Sequence, residues 1–281
     1  MEGVVYRRIR VESVLSKSGL YDLDYAYNPY VGCSHGCAYC YARAYTRHTE
    51  VARNWGRVVY VKENAVEVLR REVRVARKGV VGVSTLTDPY QPVEEVEELT
   101  RRGLEVLLGE GFRVSVQTKS PLVVRDLDVL EKYAGLVDVG FTVTTLDPET
   151  ARLVEPGAPP PASRVGALRK VSEAGVETWV FVGPIMRGVN DSAENLRKIV
   201  ETAGRVGAKV FYDFFHFKPA LDESMSPVLE KHPDATSTDP RWRALVERVL
   251  LEACRDEGVE CRPAFPKKST SRQSRLTSFL D

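Results

Sequence analysis

Residues 28–42 read NPYVGCSHGCAYCYA and hold three of the five cysteines of the chain. Cys33, Cys37 and Cys40 have the spacing C-x3-C-x2-C, which lets one short loop direct three thiolates toward one metal centre. A structural metal site or an iron–sulfur cluster usually takes four protein ligands. A four-iron cluster held by three cysteines keeps one iron open to a ligand from outside the chain. The loop therefore predicts a metal site with an open coordination position.

The composition is that of a globular protein with an ordinary core. The chain has 281 residues, of which 43% are hydrophobic and 28% charged, and its net charge is +1. This charge produces no global field toward nucleic acid or membrane, so any basic surface must be local. No apolar run approaches the roughly 20 residues of a membrane span, and the first residues lack the apolar core of a signal peptide. Clustered cysteines favour metal chemistry in a reducing compartment, so we expect a cytoplasmic protein.

Strand and helix patterns alternate from residue 80 onward, as in a parallel sheet with right-handed crossovers. The predicted strands are 80–85, 112–118, 137–144, 176–183 and 208–217. The predicted helices are 93–108, 122–134, 163–174, 191–205 and 240–256. With a strand at 25–31 and a helix after the cysteine loop, the pattern gives about six β/α units, which predicts an open, partial TIM-type barrel.

The predicted barrel occupies residues 25–261, after an N-terminal extension at 1–24 and before a flexible basic tail at 262–281. Ligands of such sheets gather at the carboxyl ends of the strands. The cysteine loop follows the first barrel strand and is therefore expected at that end.

Three blocks of sequence resemble one known family. NPYVGCSHGCAYCYAR, STLTDPYQPVE and VQTKSPLVVRDLDVL follow one another as in the spore-photoproduct-lyase-like branch of the radical S-adenosylmethionine (SAM) superfamily. The resemblance implies that Cys33, Cys37 and Cys40 bind a [4Fe–4S] cluster whose open iron is chelated by SAM. It also implies an electron donor of the ferredoxin or flavodoxin type and a 5′-deoxyadenosyl radical that abstracts hydrogen from a substrate.

The resemblance assigns roles to four residues near the cysteine loop. Thr87 and Asp88 end the second barrel strand, where the family contacts the methionyl amine; the alternative for Asp88 is capping of the following helix. Lys119 ends the third strand and resembles the family lysine that pairs with the SAM carboxylate, a role that suits a point charge. Tyr41 resembles a tyrosine implicated in radical relay, with simple packing as the alternative.

Further candidates end the later strands. Thr144 is expected to reach the ribose hydroxyls, and Gly183 and Ile185 belong to a turn that resembles the adenine-contacting turn of the family. We expect His216 to act in catalysis together with Tyr41. Alternation with period two places four side chains on one face of the sixth strand: Tyr212, Phe214, His216 and Lys218. Such a face can stack a nucleobase, with barrel packing as the alternative for its aromatic residues.

The cysteines leave two questions open. A zinc knuckle with His35 as the fourth ligand is the alternative to a cluster, although a second C-x-x-C or a distant histidine pair is missing. Cys254 and Cys261 can form a disulfide, stay free or contribute to a second site. Spore photoproduct lyase also carries a cysteine near the position of Thr85 that returns hydrogen to the product. Because only hydroxyl residues stand there, we do not expect repair by the route of that lyase.

The last residues resemble the peptide by which replication and repair proteins dock on the sliding clamp. Gln273, Leu276, Phe279 and Leu280 have the spacing Q-x-x-L-x-x-F-L, and one helical turn would place the apolar three on one side. The alternative is a tail whose apolar end folds back on the barrel. Docking on a clamp would make DNA the context of the substrate.

Three functions remain compatible with the sequence. The first is a radical SAM enzyme that acts on nucleic acid, in DNA repair. The second keeps the radical chemistry but modifies RNA or a protein side chain. The third is a non-enzymatic, metal-stabilised adaptor that binds the clamp.

Overall fold

The computed structural model of the protein describes residues 3–265 and consists of short strands and helices in alternation. The strands are β1 (Val5–Ile9), β2 (Leu15–Lys17), β3 (Tyr25–Tyr27), β4 (Tyr30–Val31), β5 (Val58–Lys62), β6 (Val80–Val83), β7 (Arg113–Thr118), β8 (Val137–Thr142), β9 (Glu177–Ile185), β10 (Lys209–Phe214) and β11 (Cys261–Pro263). The helices are α1 (Ala42–Tyr45), α2 (Thr49–Arg53), α3 (Ala65–Glu72), α4 (Glu94–Glu97), α5 (Leu99–Gly109), α6 (Leu127–Lys132), α7 (Pro148–Val154), α8 (Pro161–Glu173), α9 (Ala193–Gly204), α10 (Asp222–Lys231) and α11 (Pro240–Asp256). Two 3-10 helices cover Pro121–Asp126 and Pro219–Leu221.

Eight strands form one sheet in the order β11-β10-β9-β8-β7-β6-β3-β2. All neighbours in it are parallel except the antiparallel pair β2–β3. The sheet contains the six predicted barrel strands, β3 and β6 to β10. In the described part of the chain β2 and β11 are its two edges and do not pair with each other, so the barrel is open, as predicted.

Two features of the sheets were not predicted. A separate three-stranded sheet, in the order β1-β5-β4, brings the N-terminal segment beside the cysteine loop. Residues 262 and 263, assigned to the tail from the sequence, instead pair with β10 as part of β11. The N-terminal extension and the start of the tail thus both contribute strands.

The helices cover one face of the large sheet and build the main core there. The central strands contribute alternate apolar residues to it: Val114, Val116, Val139, Phe141, Val180, Val182, Val210 and Tyr212. The Tyr212 hydroxyl donates to Glu247 on α11 at 2.5 Å. Phe214 packs edge-to-face on Trp242, also on α11, with ring centroids 5.4 Å apart. The aromatic residues of the predicted stacking face therefore pack under a helix.

Different aromatic residues occupy the opposite face of the same strands. Trp179 of β9 and Phe211 of β10 are half-buried and pack edge-to-face at 5.5 Å. The indole N–H of Trp179 donates to Asp138 on β8 at 2.7 Å. A Cβ atom on Gly140 would lie 2.2 Å from this indole, so only glycine allows Trp179 to lie across β8.

Local capping partly matches the sequence. The Asp147 side chain caps α7 by accepting from the Thr150 N–H at 2.7 Å, as Asp147-Pro148 indicates. The cap of α9 is Ser192, which accepts from the Asn195 N–H at 3.2 Å, and the neighbouring Asp191 accepts from the Gly188 N–H and the Trp242 indole N–H.

The remaining two cysteines, Cys254 at the end of α11 and Cys261 in β11, are joined by a disulfide. Among residues 3–265, none of the helices has the length and apolar character that crossing a membrane requires.

Candidate metal centre

Three free thiols lie on the loop that connects β4 to α1. Cys33 and Cys37 are buried and Cys40 is half-buried. Gly36 between them has φ +56°, and a Cβ atom there would lie 3.2 Å from the Cα atom of Gly56. The tight path of the loop therefore requires glycine at this position.

The donor set suits a cluster better than a single ion. Within the described residues, no three side chains of His, Cys, Asp or Glu converge as ligands of one metal ion. A four-iron cluster takes its cysteines on different irons, and three free thiols on one loop match that requirement.

Burial keeps two of the thiols protonated in the metal-free protein. It raises the pKa of Cys37 to about 11 and that of Cys40 to about 12. For Cys37 the nearby Lys119 ammonium opposes this effect. Because only thiolates bind iron, assembly of a metal centre here must release protons.

The TLTDPYQP segment, residues 85–92, follows β6 and is hydrogen-bonded to the cysteine loop. Gln91 is fully buried, and its side-chain oxygen accepts from the Ser34 N–H at 3.0 Å. The Gln91 amide donates to Thr87 Oγ1 at 2.9 Å and to the Gly32 carbonyl at 3.3 Å. The Thr87 hydroxyl also donates to the Gly32 carbonyl, at 2.5 Å. Thr87 is thus bonded to the loop, and its predicted contact with the SAM amine stays a prediction.

Asp88 is buried and bonded on several sides. Its carboxylate accepts from the Thr118 hydroxyl at 2.7 Å, the Lys119 N–H at 2.8 Å and the Tyr90 N–H at 2.9 Å. Burial acts to raise the pKa of Asp88, but His35 and these donors outweigh it and lower the pKa to about 2. Asp88 is therefore ionised at neutral pH, and its contact with the SAM amine remains untested.

His35 is buried beside Asp88, with 3.4 Å between its Nδ1 atom and Asp88 Oδ2. Burial acts to lower the pKa of His35, but the negative charges of Cys33 and Asp88 raise it to about 10. The carbonyl of His35 accepts from the Gly157 N–H at 2.9 Å, so the loop after α7 covers the cysteine loop.

Lys119 follows β7 and lies half-buried near Cys37. Its ammonium is 5.7 Å from the ring centroid of Tyr39. Burial acts to lower the pKa of Lys119, but the charges of Cys37 and Glu155 raise it above its ordinary value. Among residues 3–265, no carboxylate oxygen lies within 4.0 Å of this ammonium, so Lys119 presents a charge that a ligand carboxylate can pair.

A buried ion pair lies behind Lys119. Arg164 of α8 and Glu155 after α7 have fully buried side chains, 2.5 Å apart. Tyr39 and Thr144 also donate hydroxyl hydrogen bonds to Glu155. Burial acts to raise the pKa of Glu155, but the charges of Arg164 and Lys119 outweigh it and hold the pKa below its ordinary value. Two cations thus face one carboxylate, which favours binding of a further anion.

The predicted ribose and adenine contacts lie in closely packed backbone. Thr144 is fully buried, and besides its bond to Glu155 its carbonyl accepts from the Asn190 amide at 2.9 Å. Gly183 and Ile185 are buried, and the Ile185 carbonyl accepts from the Phe215 N–H at 3.0 Å. The structure brings these residues to the carboxyl end of the sheet, and their contacts with SAM stay predictions.

The two predicted catalytic residues, Tyr41 and His216, are exposed and lie on neighbouring segments. Tyr41 is 47% exposed and its hydroxyl donates to the Thr85 carbonyl. His216 is exposed and lies 3.3 Å from the carboxylate of Asp213. Helix α1 contacts the 3-10 helix Pro219–Leu221, so the segments that carry Tyr41 and His216 are neighbours.

The same two segments carry further exposed aromatic side chains. Tyr45 is 57% exposed and packs edge-to-face on Tyr41 at 6.0 Å, and Phe217 is 40% exposed. We call Tyr41, Tyr45, His216 and Phe217 the aromatic rim.

Comparison with known proteins assigns this arrangement to a family. The sequence profile of the radical SAM superfamily matches residues 27–201, which include the cysteine loop, the TLTDPYQP segment and Lys119. The chain belongs to the radical SAM superfamily. Members of this superfamily use a [4Fe–4S] cluster and SAM, and the donor set of the cysteine loop fits the cluster.

Sequence relatives of this radical SAM protein come from mycobacteria, from Methanocaldococcus jannaschii and from viruses. An uncharacterised protein of Mycobacterium tuberculosis is 32% identical over 222 residues, which cover 75% of this chain and 65% of that protein. The chain therefore spans about two thirds of the length of this relative. A radical SAM Nα-GlyT isomerase of Pseudomonas phage M6 is 25% identical over 181 residues, which cover 64% of this chain and 36% of the isomerase.

Solved structures agree with the fold. A spore photoproduct lyase variant with bound AdoMet and dinucleoside spore photoproduct has a TM-score of 0.66 and 14% identity, covering 94% of this chain and 82% of the lyase. The predicted radical SAM fold is thereby confirmed, and the resemblance to the spore-photoproduct-lyase-like branch stays a prediction.

Several site residues had no clear signal in the sequence. Gln91 and His35 stand inside the recognised motifs, but spacing alone does not show that their side chains meet the other loop. Glu155 and Arg164 are nine positions apart on two elements, and neither belongs to a motif. The residues predicted to bind a sliding clamp lie outside the described residues: Gln273, Leu276, Phe279 and Leu280.

Proposed function

We propose that the protein is a radical SAM enzyme in which Cys33, Cys37 and Cys40 bind the [4Fe–4S] cluster and leave one iron for SAM. The observation that carries the proposal is the ammonium of Lys119, whose charge acts on Cys37 and Cys40 of the loop that carries all three free thiols. When bound, the cluster supplies the electron that cleaves SAM to a 5′-deoxyadenosyl radical. A ferredoxin or flavodoxin in a reducing cytoplasm would supply that electron.

The residues of the chain orient SAM and exclude water. Lys119 pairs with the SAM carboxylate, because a half-buried ammonium without an ion-pair partner lowers its free energy by taking one. The TLTDPYQP segment fixes the cysteine loop, so the cluster and SAM keep one relative position. Closely packed backbone at the ends of β8 and β9 keeps stray hydrogen donors away from the radical.

The role of Lys119 can be tested by SAM binding. We expect Lys119→Met to weaken binding by about tenfold or more, which corresponds to ~1.4 kcal/mol. Lys132→Met is the matched control, because Lys132 also lies over a tyrosine ring, at 5.1 Å from the Tyr133 centroid, but is exposed. Equal SAM affinity in both variants, measured by anaerobic calorimetry, would remove Lys119 from the site.

We further propose that the substrate is a nucleotide in DNA. The aromatic rim supports this, because exposed aromatic side chains stack on bases at about 1–3 kcal/mol per base. One solved structure with the same fold supports it as well, because the spore photoproduct lyase variant holds a dinucleoside spore photoproduct. Modification of RNA or of a protein side chain is the alternative for the same radical.

The substrate class can be tested by isotope transfer. Reduced enzyme and SAM are incubated with UV-treated DNA carrying deuterium in thymine, and 5′-deoxyadenosine is examined by mass spectrometry. We expect deuterium in 5′-deoxyadenosine with DNA and less transfer with matched RNA. A Tyr45→Ala variant should lower transfer from DNA while SAM cleavage without substrate is unchanged. Transfer from RNA alone would favour the alternative.

We also propose that residues 273–280 dock on a sliding clamp, as the spacing of Gln273, Leu276, Phe279 and Leu280 indicates. A clamp pull-down with the full chain and with a Phe279→Ala, Leu280→Ala variant tests this. Loss of binding in the variant is expected. A colourless protein that binds the clamp but lacks SAM cleavage would instead support the non-enzymatic adaptor.

A further inference from the structure

His35 is a buried imidazole inside the cysteine loop, two positions from Cys33 and two from Cys37. Buried polar side chains nearly always have hydrogen-bond partners. Neither ring nitrogen of His35 has a partner with strict hydrogen-bond geometry among the described residues. The Asp88 carboxylate lies 3.4 Å from Nδ1, and Cys33 lies two positions before the ring on the same loop.

Asp88 is rigid enough to orient this ring. Three donors from Thr118, Lys119 and Tyr90 fix its carboxylate, so it cannot turn away from His35. Carboxylates next to metal sites commonly fix the tautomer and orientation of a histidine in this way. The second ring nitrogen is then left for an acceptor on the cysteine loop.

We propose that His35 donates a ring N–H hydrogen bond to the thiolate of Cys33 and thereby raises the reduction potential of the cluster, with Asp88 as the positioning residue. The inference rests on the proposed binding of the cluster by Cys33. Hydrogen bonds to cluster sulfurs are one of the factors that set the potential. Reduction adds negative charge to the cluster and its thiolates, so a nearby donor stabilises the reduced form more than the oxidised form.

The potential itself is the readout. Full-length protein is reconstituted anaerobically, and the cluster is titrated with a reductant in the absence of SAM while the reduced signal is followed by electron paramagnetic resonance. We expect His35→Gln to lower the ratio of reduced to oxidised cluster about tenfold at a fixed poise, which is ~59 mV for a one-electron couple. Asp88→Asn also removes a negative charge, which by itself raises the potential, so its readout is the coupling of a histidine nitrogen to the reduced cluster, which should weaken.

His48→Gln is the matched control, because it makes the same substitution at an exposed histidine outside the cysteine loop. Its potential should equal that of the wild type. A second measurement needs no variant: in wild-type protein labelled with 15N-histidine, pulsed resonance should detect a histidine nitrogen coupled to the reduced cluster.

Two results separate this inference from the proposed function. An unchanged potential in His35→Gln with full iron content, or no histidine coupling in the wild type, overturns the role of His35 and leaves the cluster assignment intact. Wild-type protein that binds no cluster overturns the proposed function, and with it this inference.

Discussion

At the scale of single residues, the pair Arg164–Glu155 combines full burial with opposite charges beside the site. We expect Arg164→Met to lower the free energy of unfolding by about 3–5 kcal/mol, because it leaves a buried carboxylate without its main counter-ion. Arg169→Met on the same helix is the control, since the Arg169–Glu173 pair is exposed and should cost less than about 0.5 kcal/mol. Denaturant titration of both variants checks this; similar losses would contradict the account.

The same pair predicts a dependence of stability on pH. The pKa of Glu155 in the folded protein lies below its ordinary value near 4.5. Its stabilising contribution is therefore complete above the ordinary value and is lost as the pH falls through the folded pKa. Denaturant midpoints between about pH 6 and pH 3 should fall less steeply in Glu155→Gln than in the wild type. A parallel decline would show that Glu155 does not contribute.

The residues that the sequence predicted well are those whose chemistry depends on local spacing. Cys33, Cys37 and Cys40 form a recognisable set because one loop carries all three. Arg164 gave no signal, because an arginine in a helix is ordinarily exposed and only the tertiary structure brings it to Glu155.

At the scale of elements, a second loop, the TLTDPYQP segment, holds the start of the cysteine loop. Gln91 connects the two, and Gln91→Ala leaves the buried N–H of Ser34 without its acceptor, at a cost of about 1–3 kcal/mol. We expect this variant to lose iron to a chelator faster than the wild type.

Gln117→Ala is the control for that experiment, since Gln117 bonds Thr142 on β8 and does not touch the cysteine loop. Iron release is followed by absorbance after a chelator is added. Equal rates of iron release in both variants would mean that Gln91 and the TLTDPYQP segment do not hold the cysteine loop.

Strand β10 shows what periodicity leaves undetermined. Alternation separates Tyr212 and Phe214 from Phe211, but it does not say which set faces the helices. Both sets are aromatic, so hydrophobicity could not decide between them. Helix α11 determines which set faces the helices, because Phe214 packs on its Trp242 and Tyr212 donates a hydrogen bond to its Glu247.

At the scale of the whole molecule, the order of strands followed from the sequence because each β/α unit repeats the same crossover. The three-stranded sheet did not, since β1 and β5 are far apart in the chain and each is short. Helix boundaries agreed best for the last helix, which was predicted at 240–256 and is observed as Pro240–Asp256 with Asp239 as its cap.

The disulfide fastens the edge strand β11 to the last helix. We expect Cys254→Ala, Cys261→Ala to lower the free energy of unfolding by about 2–3 kcal/mol, because a short closed loop is opened in the unfolded chain. Thermal unfolding with and without reductant measures this, and reductant should affect only the wild type. Five titratable thiols in unreduced, denatured protein would show that the bond is absent.

The most direct test of the account is the cluster itself. Wild-type protein, the Cys37→Ala variant and the Cys254→Ala, Cys261→Ala variant are reconstituted anaerobically and examined by Mössbauer and electron paramagnetic resonance spectroscopy, with and without SAM. We predict a four-iron cluster in the wild type and in the double variant, with a resonance signal that changes when SAM is added, and no such cluster in Cys37→Ala. A cluster retained in Cys37→Ala, or a wild-type signal that does not respond to SAM, would contradict the open-iron site.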